Sequence, residues 1–155
     1  MAFLQAEVAW STVALTATTA KSVGGLKAAT NQVVKILEIS CSHDGSTSSN
    51  APDVTDIGRC TFATNGPGTN STSYTPGKKD PGRAETVQTT AAVNWTTEPT
   101  VITVFRTVNL AQYNGLYHYI TPFANPMIVI GGQGLVVRQN SPNNVNACGT
   151  IEFEE

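Results

Sequence analysis

Apolar and polar side chains alternate strictly over residues 144–154. Val145, Ala147, Gly149, Ile151 and Phe153 fall on one side, and Asn144, Asn146, Cys148, Thr150, Glu152 and Glu154 on the other. Successive side chains of a strand point to opposite faces, so this period of two predicts a strand with one buried face. Residues 126–138 read as two further apolar strands turned at Gly131-Gly132. Residues 31–42 form a strong strand, with Leu37, Ile39 and Cys41 on one face and Val34 and Ile36 on the other. That arrangement predicts cover on both sides at its start. Strands are also expected at 12–17, 21–28, 54–64, 86–93, 101–110 and 116–120. In 101–110 Ile102, Val104, Val108 and Leu110 share a face that Arg106 interrupts.

Turn chemistry separates these runs. Asp44-Gly45 opens a Ser-rich loop over 44–52. Asn65-Gly66-Pro67-Gly68 opens an irregular stretch to Gly82, read as a loop crossing the top of the domain. About nine strand-like segments at spacings of roughly ten residues predict an all-β sandwich or barrel. No stretch has helical periodicity. Strands on both sides of the long loop are needed to complete one core, so the expectation is a single domain.

Composition narrows the chemistry. The chain has 155 residues, enough to bury a core, yet only 13% of them are charged. That is about half the usual share of roughly 25%. Thr, Ser and Asn fill the polar positions. Five lysines and four arginines are scattered, and the net charge is −2, so nucleic acid is not an expected partner. The start of the chain lacks the basic and apolar regions of a signal peptide. No segment approaches the roughly 18 apolar residues that span a bilayer. Synthesis in a cytoplasm and no membrane partner are the expectations. Cys41, Cys60 and Cys148 are odd in number and lack CxxC spacing, which suits small buried thiols. A Cys41–Cys148 bridge is left open.

No reaction centre emerges. Ser42-His43-Asp44 is triad-like in letters only, because triad members converge from separate parts of a fold. Asp44 reads instead as the start of an Asp-Gly turn. His118, between Tyr117 and Tyr119, reads as a core or interface histidine with no metal-ligating partner spaced to help. Asp44, Asp53 and Asp56 lack calcium-loop spacing. Gly131, Gly132 and Gly134 precede a strand and not a helix, so they make a turn and not a phosphate cradle. Glu152, Glu154 and Glu155 read as a solvated face. The sequons at Asn70 and Asn94 carry meaning only in a secreted chain. No catalytic residue, metal or cofactor is expected. Tyr113, Tyr117, Tyr119 and Phe123, with Arg106, offer Tyr and Arg, the types enriched at interface hot spots.

Several short motifs follow in order along nearly the whole chain. Leu26-Lys27-Ala28 follows the opening Thr/Ala strands, and an apolar strand ends at Asp44-Gly45. Ala51-Pro52 precedes the next strand. Thr75-Pro76-x-Lys78-x-Asp80-Pro81 makes a loop, and Glu98-Pro99-Thr100 precedes a strand with an arginine. Gly115-Leu116 precedes a proline and the Ile128-Val129-x-Gly131-Gly132-x-Gly134-Leu135 turn, and the chain closes on Glu154-Glu155. In this order the chain resembles the small jelly-roll virion proteins of tailed bacteriophages, read as head decoration, or cement, proteins. Phe153 stands where a tryptophan is frequent in that family, and the cysteines are additional.

The resemblance implies a tumour-necrosis-factor-like jelly-roll β-sandwich of about eight or nine strands that trimerises. It implies a structural virion protein, not an enzyme, on the outer capsid surface. There it would bridge major capsid protein subunits and stabilise the assembled head. Residues 1–10, with Phe3, Leu4, Val8 and Trp10, are expected to be an arm contacting the capsid or a neighbouring copy, and residues 11–155 the sandwich. Arg106, Tyr113, Tyr117 and Tyr119 complete the expected interface set. A different reading is a virion-surface binding module, a head fibre or adhesin for host glycan or receptor. It would present residues 65–74 and Asn94-Trp95 on a loop rim.

Overall fold

The computed structural model describes residues 3–46 and 50–155. In chain order the strands of the first half are β1 (Gln5–Leu15), β2 (Lys21–Lys27), β3 (Val33–His43), β4 (Asp53–Cys60), β5 (Thr72–Tyr74) and β6 (Gly77–Lys78). Those of the second half are β7 (Thr90–Val93), β8 (Ile102–Leu110), β9 (Leu116–Ile120), β10 (Met127–Ile130), β11 (Gly134–Asn140) and β12 (Val145–Glu154). They form two six-stranded antiparallel sheets that face each other across one principal core. The first runs β10-β3-β12-β1-β6, with β9 beside β10 along the same edge of β3. The second runs β5-β7-β2-β11-β4-β8. The all-β sandwich expected from the alternation is therefore present, with twelve strands and not eight or nine. The short strands β5 and β6 lie in the stretch read as an irregular loop, where two or three residues are too few to show a period.

Gln5 to Trp10 are part of a strand and not of an arm. β1 lies between β12 and β6, and Gln5 to Trp10 pair residue by residue with Glu154 to Gly149. Leu4, Val8 and Trp10 are buried, as is Ala6. The alternation of Leu4, Ala6, Val8 and Trp10 is a strand period that the small Ala6 disguises. Phe3 alone of the expected arm residues is exposed, with the Lys35 ammonium 4.4 Å from its ring centroid. Met1, Ala2 and part of the 44–52 loop lie outside the described residues.

Trp10 ties the two sheets together. A Cβ on Gly24 of β2 would lie 2.4 Å from Trp10 Cε3, and one on Gly149 of β12 would lie 2.4 Å from Cζ2. The indole thus fills space that only two glycines, one in each sheet, leave open. Around it Val8, Val23, Leu26, Ile36, Ile39, Ile57, Leu135, Val137, Ile151 and Phe153 are fully buried.

Two bulges correct the faces read from the sequence. In β3, Glu38 pairs with Glu152 but Ile36 pairs with Phe153, so Leu37 is the extra residue. A one-residue insertion flips the pleat. Val34 and Ile36 consequently face the same core as Ile39 and Cys41, instead of a second layer. In β8, Arg106 pairs with Ile57 but Val104 pairs with Gly58, leaving Phe105 extra. Leu110 then points into the principal core, whereas Ile102 packs on a second cluster.

That second cluster is Cys60, Phe62, Ala92, Trp95 and Val136. Leu135 and Val137 face the principal core, so Val136 faces outward, and residues following β4 and β7 cover it. Phe62 stacks on Trp95 at 6.0 Å between centroids, and the Trp95 indole N–H donates to Asn65 O at 2.7 Å. Burial on both faces explains the unbroken apolar run of β11. The Gly131-Gly132 turn is as expected, with Gly132 at φ 79°. It passes the chain between sheets, because β10 pairs with β3 while β11 pairs with β2 and β4.

Trp10→Ala is expected to lower unfolding free energy by about 3–5 kcal/mol, the range for deleting a buried aromatic side chain. Gly24→Ala, which overpacks the same site, should cost about 1–3 kcal/mol. Urea denaturation checks both. An arm would leave stability unchanged in Trp10→Ala.

Candidate interaction edge

The two sides of the sandwich are finished differently. On one side β6 has two residues, and Lys79 beside it holds Glu7 at 2.8 Å and Glu152 at 2.6 Å. Short strands and lysines are ordinary ways of blunting an edge against further pairing. On the other side β8 ends the second sheet and β9 lies at the edge of the first, with no lysine or proline in either. Seven of the ten exposed large hydrophobic side chains among the described residues fall between Val101 and Phe123. They include Leu116 at 67% exposure, Ile120 at 66% and Phe123 fully exposed. Isolated exposed hydrophobics need no explanation, but this many close together in the chain make the edge a candidate interaction surface.

Three of the expected interface residues meet at this edge. The Arg106 guanidinium of β8 sits 4.1 Å from the centroid of the Tyr119 ring, and its Nη1 donates to the Tyr117 hydroxyl at 3.4 Å. The two tyrosine rings stack at 6.4 Å and 4°. Tyr117 and Tyr119 pair with Cys41 and Ile39, so both point inward. They close the gap between the sheets, and burial raises the Tyr117 phenol above its ordinary value despite Arg106. The outward residues of β9 are Leu116, His118 and Ile120. Tyr113 lies in the β8–β9 turn, exposed, and its backbone bridges to Gly45. Leu4, Val8 and Trp10 are in the core and take no part. Leu116 and Ile120 are candidate residues of this edge that the sequence did not single out. Their signal was the alternation Leu-Tyr-His-Tyr-Ile, in which either face could have been the buried one.

β9 continues into the outer face of the first sheet. One row of paired residues is Leu116, Ser42 and Cys148; the next is His118, Ser40, Thr150 and Ala9. Apart from Leu116 and His118 these side chains are small and uncharged, which leaves a low-relief face beside β9. Beyond them run Ile120, Glu38, Glu152 and Glu7. His118 Nε2 contacts Glu38 Oε1 at 2.8 Å, so this histidine belongs to the surface and not to the core.

His43 of β3 and Asp53 of β4 meet across the sheets, Nδ1 to Oδ2 at 3.1 Å, with both side chains fully buried and not aligned as a hydrogen bond. Burial holds His43 below its ordinary value, against the pull of Asp53 and Asp44. Nearby, Gln112 Nε2 donates to Ser141 Oγ at 2.8 Å. Cys41, Cys60 and Cys148 are all free thiols. Burial pushes the first up to about 11 and the second up to about 12. No group of three metal-ligating side chains occurs among the described residues, and none of their helices could cross a membrane, because there is no helix. Of the two aromatics of the alternative binding rim, Trp95 is buried and Tyr74 half-buried. Comparison of the chain with family models, curated proteins and solved structures finds no match in any of the three.

The histidine sets a pH dependence. The unfolded chain binds a proton near pH 6.5 that folded His43 resists, so more protons are bound in the unfolded state. Stability is full above pH 6.5 and falls as pH drops towards the lowered folded value. Urea midpoints should fall between about pH 7 and pH 5 in the native protein and in His118→Gln, and stay flatter in His43→Gln.

Proposed function

We propose that this chain is a structural virion protein with a tumour-necrosis-factor-like jelly-roll fold. It decorates the outside of an assembled phage capsid as a homotrimer and bridges major capsid protein subunits. The reading assigns it no catalytic step and no cofactor. The observation that carries it is the bare apolar edge of β8 and β9 beside the low-relief, small-residue outer face of the first sheet.

The jelly-roll assignment is supported by the order of pairing. β1 pairs with β12, β2 with β11, β3 with β9 and β10, and β4 with β8. Such pairing is what results when one long hairpin is rolled into two sheets. The trimer is supported by the difference between the two surfaces. An edge of protruding Leu116 and Ile120 fits a face of Ser40, Ser42, Cys148 and Thr150 better than it fits itself. Such a contact is heterologous, and it closes into a ring when the rotation allows. The low charge density lets copies pack closely. A rigid sandwich loses little freedom on docking, and many copies on one shell multiply weak contacts.

Light scattering should give three times the 16.3 kDa chain mass. Leu116→Glu with Ile120→Glu should give the monomer without unfolding it, since both side chains are mainly exposed. Cys148, half-buried on the outer face, should react slowly with a thiol reagent in the trimer and quickly in that double variant. The trimer should co-sediment with emptied phage heads, and the double variant should not. A native protein that stays monomeric and ignores heads would overturn the proposal.

A further inference from the structure

At one end of the sandwich a cleft of about 420 Å³ opens between the end of β1, the segment after β3 and the start of β12. That size suits a small-molecule site, for which volumes of about 300–1,000 Å³ are usual. Its lining is unusual for this chain. One carboxylate, Asp44, stands among the carboxamides of Gln112, Asn143, Asn144 and Asn146, with no basic side chain.

Each of these groups is pinned by a bond that leaves part of it unused. Asp44 accepts the Asn146 backbone N–H and its Nδ2, both at 2.7 Å, on separate oxygens. Asn146 keeps its Oδ1. Asn144 Oδ1 accepts the Ala17 N–H at 2.9 Å, so its Nδ2 keeps two N–H donors. Asn143 Nδ2 donates to Gln112 Oε1 at 2.8 Å and keeps its own Oδ1. The result is a fixed mixture of donors and acceptors around an apolar floor of Leu15 and Val145. Side chains already held in place lose little freedom when a ligand arrives.

We infer that this cleft binds a neutral saccharide. Sugar hydroxyls both donate and accept, so a single ring can use amide N–H, amide oxygen and carboxylate together. The sugar's C–H face would rest on Leu15 and Val145. An anion would meet Asp44 with no lysine or arginine among the lining side chains to balance it. A calcium ion wants six to eight oxygens, several of them carboxylate, and the cleft offers one carboxylate. The hydrogen bonds from Asn146 hold Asp44 below the usual carboxylate range, so the site stays charged in mild acid. The cleft is distinct from the residue 65–74 rim and does not depend on the assembly role.

The test is a titration of the full-length, nitrogen-15-labelled protein with glucose, galactose, mannose and N-acetylglucosamine, each to about 50 mM, a range that reveals millimolar binding. At least one sugar should shift the side-chain amide signals of Asn144 and Asn146. Ala14→Trp, which plugs the cleft from exposed β1, should weaken that sugar at least tenfold. So should Asn144→Asp, which keeps the bond to Ala17 but removes the donor. Oligomeric mass measured on the same samples separates loss of sugar binding from loss of assembly. No shift with any sugar, undiminished binding in both variants, or the same shifts with calcium chloride alone would overturn the inference.

Discussion

The sandwich depends on Trp10 being held between Gly24 and Gly149. Those two glycines sit on facing strands of opposite sheets, and their missing Cβ atoms make the slot that the indole occupies. The contact sets how closely the sheets approach beside it. It also anchors β1, whose Thr12, at φ 54°, lies in the irregularity immediately after Trp10, before pairing resumes at Val13. Any larger residue in the slot must push the sheets apart or expel the ring. Close packing makes such a site intolerant in both directions.

With the spacing set, the bulges decide what each face shows. Leu37 in β3 keeps the hydrophobic side chains before and after it on one core. Phe105 in β8 does the opposite, handing Ile102 to the outer cluster while Leu110 stays in the principal core. The same bulge leaves Val104 and Phe105 exposed on the edge that β9 extends. Arg106 and the two tyrosines close the seam behind that edge. The exposed apolar surface and the half-buried aromatic clasp are therefore two sides of one structural device.

Strand existence was readable from alternation in the long segments other than the first half of β1, and β12 was readable almost residue by residue. Residues 65–82 were not, because β5 and β6 are too short for a period. The N-terminal segment misled because Leu4, Phe3, Val8 and Trp10 look like an apolar tail when Ala6 is not counted as part of a face. At the edge, Arg106, Tyr117 and Tyr119 were legible by residue type, but their role as an inward clasp was not. Leu116 and Ile120 were hidden because alternation identifies two faces without saying which one meets the core.

By itself, the sequence determined an all-β chain with little charge and its turn at Gly131-Gly132. These depend on local periodicity, turn geometry and composition, which a single chain carries in its letters. Tertiary structure decided which strands share a sheet, where a one-residue bulge reverses a face, and which edge stays bare. It also brought His43 to Asp53 and gathered Asp44, Gln112 and three asparagines around one cleft. Those outcomes depend on pairing between residues up to more than a hundred positions apart, such as Asp44 with Asn146. No local window contains both partners.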